Sequence, residues 1–184
     1  MRIYIKKYRF HITALLLWFI ISTVFSCKQN QGNEQLSEQE KEAKKERFIA
    51  GGRLEEMLGN KNLELSLLYL NFLHVRYPHD AQFYFAEGWV YDIKKDSVKS
   101  HAAFSKALDI YDSLIVAEPN FNNEINRAFI VQILYGQEAY TKALDKIQEK
   151  YKAHDDSQEI DMWRNLVYNP NELFQNTSSY TVDE

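Results

Sequence analysis

The stretch Asp80–Asp109, DAQFYFAEGWVYDIKKDSVKSHAAFSKALD, decides how the chain is read. Its apolar residues recur every three or four positions on either side of Lys94-Lys95-Asp96, which predicts two amphipathic helices joined by a short turn. The second half returns later: Ala103-Phe104-Ser105-Lys106-Ala107-Leu108-Asp109 is echoed by Ala139-Tyr140-Thr141-Lys142-Ala143-Leu144-Asp145, 139 − 103 = 36 residues on. Self-similarity at such a period is the signature of stacked helical hairpins. With only 6 Gly and 3 Pro in 184 residues, the chain avoids the two residues that helix interiors exclude.

Outward from this stretch the helical pattern continues. Towards the N-terminus, Asn62 to Tyr77 carries a wide apolar stripe (Leu63, Ser66, Leu67, Leu70, Phe72, Leu73) and ends at Pro78, which has no amide hydrogen to donate. Asp80 is the expected N-cap of the next helix. Before that stripe, Ser37 with Glu40 three residues on forms a capping-box pattern. Phe48, Leu54, Met57 and Leu58 give this helix a sparse apolar face, Gly51-Gly52 is expected to interrupt it or to allow a close approach, and Gly59-Asn60 to stop it. Towards the C-terminus, a helix capped by Asn122 or Asn123 carries Ile125, Ala128, Phe129, Ile133 and Leu134. Gly136 turns the chain, and Glu138–Tyr151 is the next helix. Asp156 with Glu159 starts a short amphipathic helix (Ile160, Met162, Trp163, Leu166, Val167) that Asn169-Pro170 ends, expected to cover the last repeat as arrays require.

The middle hairpin resembles the tetratricopeptide repeat family. The residues that carry the likeness are Pro78-His79-Asp80-Ala81, then Tyr84, Gly88 and Tyr91, then Ser100, Phe104 and Ala107, with Tyr140 and Ala143 in the echo. The resemblance implies an all-α array of about three antiparallel helical hairpins over 37–174 with a C-terminal capping helix. It implies that Gly88 and Ala107 let two helices approach while Tyr84, Tyr91 and Phe104 fill the space around them. Glu87 stands where the family has leucine, and the second helix of this hairpin runs on towards Pro119. First-helix positions of the family line a concave groove for a peptide or partner helix. Gln82, Phe85, Trp89 and Asp92 share that spacing, and for Phe85 and Trp89 both readings stand: groove lining, or additional core.

The N-terminus predicts a destination. Arg2, Lys6, Lys7 and Arg9 precede a short apolar run, Ile12–Phe25, of about 14 residues, too short for a bilayer-spanning helix of roughly 20. The run ends at Val24-Phe25-Ser26-Cys27, which resembles the lipobox of bacterial lipoproteins, and Cys27 is the only cysteine. The resemblance implies a signal peptide over 1–26, lipidation of Cys27 and a membrane anchor of several acyl chains. Lys28 in place of aspartate points to the outer membrane. Residues 27–36 read as a polar tether and 175–184 as a disordered tail.

Charge and chemistry narrow the function. Removing 1–26 leaves 22 − 4 = 18 basic against 26 acidic residues, a net charge near −8 with no basic stripe, which argues against nucleic acid. One cysteine excludes an internal disulfide and a four-thiolate metal site. His74, His79, His101 and His154 show no metal-ligand spacing, His79-Asp80 suits a turn and cap better than a catalytic dyad, and no serine sits in a Gly-x-Ser-x-Gly setting. No cofactor, metal site or catalytic residue is therefore expected. The expected function is non-catalytic binding of a protein or peptide, as an adaptor or assembly factor tethered to the envelope. The alternatives are an immunity or inhibitor protein against a toxin, and a glycan-acting enzyme or binder.

Overall fold

The computed structural model describes residues 37–152 and 160–171; Cys27, the leader and tether, Asp156 with Glu159, and the 175–184 tail lie outside them. The fold is all-α. Among the described residues there are seven helices: α1 Glu38–Gly59, α2 Leu63–Arg76, α3 Ala81–Ile93, α4 Ser97–Ala117, α5 Phe121–Tyr135, α6 Gln137–Tyr151 and α7 Ile160–Arg164. Contacts divide the chain into two compact units at Ser66, within α2; the described part of the first ends there, and the second is Leu67–Asn171.

In the first unit, α1 starts at the expected capping box. The Ser37 hydroxyl accepts from Glu40 N at 3.3 Å, and Glu40 Oε2 accepts from Ser37 N at 2.8 Å. These bonds hold the Glu40 carboxyl below its ordinary pKa. Ala50, Leu54 and Leu58 are buried, one stripe at four-residue spacing, whereas Phe48 is exposed. One expectation fails. Gly51 and Gly52 lie within an unbroken helix, and a Cβ at either would meet nothing within 4 Å, so they mark neither a break nor a close approach. The helix stops at Gly59-Asn60 as expected, with Asn60 as its C-cap, and Lys61 in the left-handed region (φ 57°) completes the turn. Its amide donates to Leu58 O and that of Asn62 to Met57 O, the paired bonds of a Schellman turn. Asn62 Oδ1 then caps α2 by accepting from Leu65 N.

In the second unit the same device recurs 95 − 61 = 34 residues later. Lys95 (φ 62°) donates to Asp92 O, Asp96 N donates to Tyr91 O, and Asp96 Oδ1 caps α4 through Lys99 N. The period of this turn differs from the 36 residues of the sequence echo because the α5–α6 connection is built otherwise. There Gly136 alone (φ 86°) ends α5 and starts α6. Asp80 caps α3 as expected, accepting from Gln82 N at 3.1 Å. The cap of α5 is Asn120, whose Oδ1 accepts from Asn123 N, not Asn122 or Asn123.

Adjacent helices from α3 to α7 pack on one another in chain order. Phe104, Ala107, Ala128, Phe129, Ile130, Tyr140 and Leu144 are buried between them. Gly88 meets the face of the Phe104 ring: a Cβ there would stand 2.8 Å from Phe104 Cδ1. α4 and α5 are also joined by polar contacts, a buried Asn126 Nδ2–Tyr111 Oη bond at 3.2 Å and the Arg127–Asp112 ion pair.

Candidate functional site

The site is a face of α3 and α5. Phe83 and Val90 turn α3 inward on its neighbours, and Phe85, Trp89 and Asp92, spaced four and three apart, share another side of the helix. Phe85 packs edge-on against Phe104 (ring centroids 5.5 Å apart) and against Phe129 of α5 (6.1 Å). These rings form an apolar wall with its far side open to the chain's own residues 166–170.

That segment fills the site. The expected amphipathic helix stops at Arg164, so Leu166 and Val167 lie beyond it. From Leu166 to Pro170 burial alternates: Leu166 is buried, Tyr168 and Pro170 are half-buried, and Val167 and Asn169 are exposed. A period of two belongs to an extended chain lying along a surface. Two causes end the helix early. The residue before a proline, here Asn169, is driven from helical to extended backbone, so no helix can run on through it. In addition, the buried Gln132 of α5 gives the segment other partners: its Nε2 donates to Leu166 O at 2.7 Å and its Oε1 accepts from Tyr168 N at 3.0 Å. The second amide proton goes to Gln137 Oε1, so the orientation of this amide is fixed by three bonds.

Side chains complete the hold. Tyr168 sits edge-on to both Phe104 and Phe129, with ring centroids 6.0 Å apart in each case, and its hydroxyl donates to Asp92 Oδ2 at 3.1 Å. Burial, the Asp92 charge and this bond together raise the Tyr168 pKa well above that of a free phenol. Trp89, only 7% exposed, donates through Nε1 to Pro170 O at 3.0 Å. The segment is held by aromatic walls, one amide that grips its backbone on two sides, one acceptor for a hydroxyl and one donor for a carbonyl.

Of the groove residues expected from sequence, Phe85, Trp89 and Asp92 are brought together here; Gln82 is half-buried near the start of α3. Of the expected packing residues, Ser100, Phe104, Ala107 and Tyr140 are buried and Ala143 is half-buried. Tyr140 donates to Trp163 O at 2.8 Å, and burial raises its pKa strongly. Tyr84 and Tyr91 are half-buried rather than core. Tyr84 stacks on His74 (centroids 4.0 Å apart, 14° between planes), and Lys99 Nζ lies 5.2 Å from the Tyr91 ring centroid. His74 Nε2 is 2.9 Å from Glu87 Oε2, which accounts for a glutamate where leucine was expected. Sequence reasoning missed Gln132, Tyr168 and Pro170. The available signal was the alternation Leu166, Tyr168, Pro170 leading into a proline, which the helical reading of 160–167 overrode.

Among the described residues, no cluster of three His, Cys, Asp or Glu side chains could hold a metal ion, and no helix is long and apolar enough to cross a membrane. Compared with known proteins, the chain matches no family model, no curated protein and no solved structure.

Proposed function

We propose that the chain is an envelope-anchored, non-catalytic protein-binding module of tetratricopeptide-like hairpins, serving as an adaptor or assembly factor. The observation that carries this reading is that the α3–α5 face already holds a stretch of non-helical polypeptide, through the Gln132 amide and an aromatic wall. Surfaces that grip backbone with fixed side chains and seat alternate side chains are those that recognise peptides. The 34-residue recurrence of the capped Schellman turn supports the repeat reading. The lipobox-like Val24–Cys27 supports attachment through acyl chains on Cys27, which places the module at a bacterial membrane, in this reading the outer one.

Site-specific photo-crosslinking in native membranes tests this. A crosslinking residue at Gln82, beside the site, should capture one protein at a defined mass. The same residue at the exposed Lys142 on α6 should not. Equal labelling from both positions, or none from Gln82, would remove the module reading.

A further inference from the structure

We propose that the α3–α5 face is a recognition site for an extended peptide of the pattern Leu-x-Tyr-x-Pro, and that residues 166–170 are its resident, displaceable occupant. This rests on the binding-module reading and adds the chemistry of the partner and its regulation.

The pattern follows from what the face touches. Gln132 takes one carbonyl and the amide two residues on, so it requires an extended backbone and is indifferent to the side chain between them. Val167, that intervening residue, is 68% exposed. The next position to be read is the aromatic one: Phe104 and Phe129 flank the Tyr168 ring and Asp92 accepts its hydroxyl proton. A phenylalanine there would leave Asp92 without that donor. A phosphotyrosine would set about two negative charges against the Asp92 carboxylate. The residue after the tyrosine, Asn169, is exposed. Trp89 Nε1 then takes the carbonyl of Pro170, whose ring keeps the preceding residue extended. The site thus selects unmodified tyrosine and proline at alternate positions, two and four residues after a leucine that is 8% exposed, in a segment that need pay little to become extended.

Occupation in cis sets a threshold. A tethered segment acts at a local concentration on the order of millimolar. For an intrinsic dissociation constant about a tenth of that concentration, an external peptide would then bind roughly tenfold more weakly to the closed chain than to an emptied one. A partner that adds contacts beyond these five residues overcomes the threshold.

The test is fluorescence anisotropy with the labelled peptide Asn-Leu-Val-Tyr-Asn-Pro-Asn, the sequence of 165–171, added to the full chain. Tyr168→Ala should raise its affinity about tenfold over wild type, because the competitor is weakened. Adding Gln132→Ala to that variant should cut the affinity at least tenfold. So should replacing the tyrosine of the peptide by alanine or phosphotyrosine, a control that leaves the protein untouched. Equal affinity for wild type and Tyr168→Ala would overturn the proposal. So would a Tyr168→Ala chain that keeps its helical circular dichroism but binds no peptide. A Tyr168→Ala chain that loses its helices overturns it as well, since the segment would then be an indispensable part of the core. None of these failures removes a specific crosslink from Gln82, so the peptide proposal and the module reading fall separately.

Discussion

The hydroxyl of Tyr168 donates to Asp92 Oδ2 at 3.1 Å, joining residues 76 positions apart along the chain. A bond from a neutral donor to a carboxylate contributes about 1.5–3 kcal/mol where it is part-buried. Tyr168→Phe and Asp92→Ala are each expected to lower unfolding free energy by about 1–2 kcal/mol. The double variant should cost less than their sum, with a coupling of about 1 kcal/mol in urea titrations. Strict additivity would mean that the two groups do not interact in solution.

Tyr140 and Tyr168 both have raised pKa values, the first by burial, the second by burial and by Asp92. In the unfolded chain each ionises near pH 10. Their contribution is therefore complete below about pH 10 and is lost as pH rises towards the folded-state values. Each still-protonated phenol should steepen the loss by about 1.4 kcal/mol per pH unit above pH 10. Tyr168→Phe should remove one such increment from the slope of stability against pH between about 10 and 11.5. An unchanged slope would show that Tyr168 ionises freely.

Glycines in two helices should respond with opposite sign. Gly88→Ala drives a methyl group into the buried Phe104 ring, and the overpacking cost of about 1–3 kcal/mol exceeds the gain in helix propensity of about 1 kcal/mol. Gly51→Ala and Gly52→Ala meet nothing, so each should stabilise α1 by about 1 kcal/mol. Thermal melts followed by circular dichroism read both signs.

Lys95 holds a left-handed conformation that costs a residue with a Cβ about 1–2 kcal/mol. Lys95→Gly relieves this, against a greater loss of chain entropy on folding, for a net gain of about 0.5–1 kcal/mol. A lower urea midpoint would show that the lysine side chain contributes more than its backbone costs.

If Cys27 carries the lipid, Cys27→Ala should move the chain out of the membrane fraction and abolish incorporation of labelled fatty acid. Retention in the membrane with no label would favour an uncleaved N-terminal anchor instead.

Much of the fold was legible because helices announce themselves locally. The caps Ser37 and Asp80, the stop at Pro78 and the period of three and four are properties of neighbouring residues. The Gly88–Phe104 approach was readable because it lies within one hairpin, only 16 positions apart in sequence (104 − 88). The sequence by itself thus determined an all-α chain, most helix boundaries and three of the residues that line the site. The tertiary structure alone decided what lies on that face. For 165–169, local periodicity favours helix, and the competing partner, the Gln132 amide, is contributed by α5, 34 residues from Leu166. A helix there would strip the Gln132 side chain of its bonds to Leu166 and Tyr168, leaving only the one to Gln137, a cost of about 1–3 kcal/mol. Long-range satisfaction of one buried polar group therefore overrides a weak local preference, and no window of neighbouring residues contains both partners.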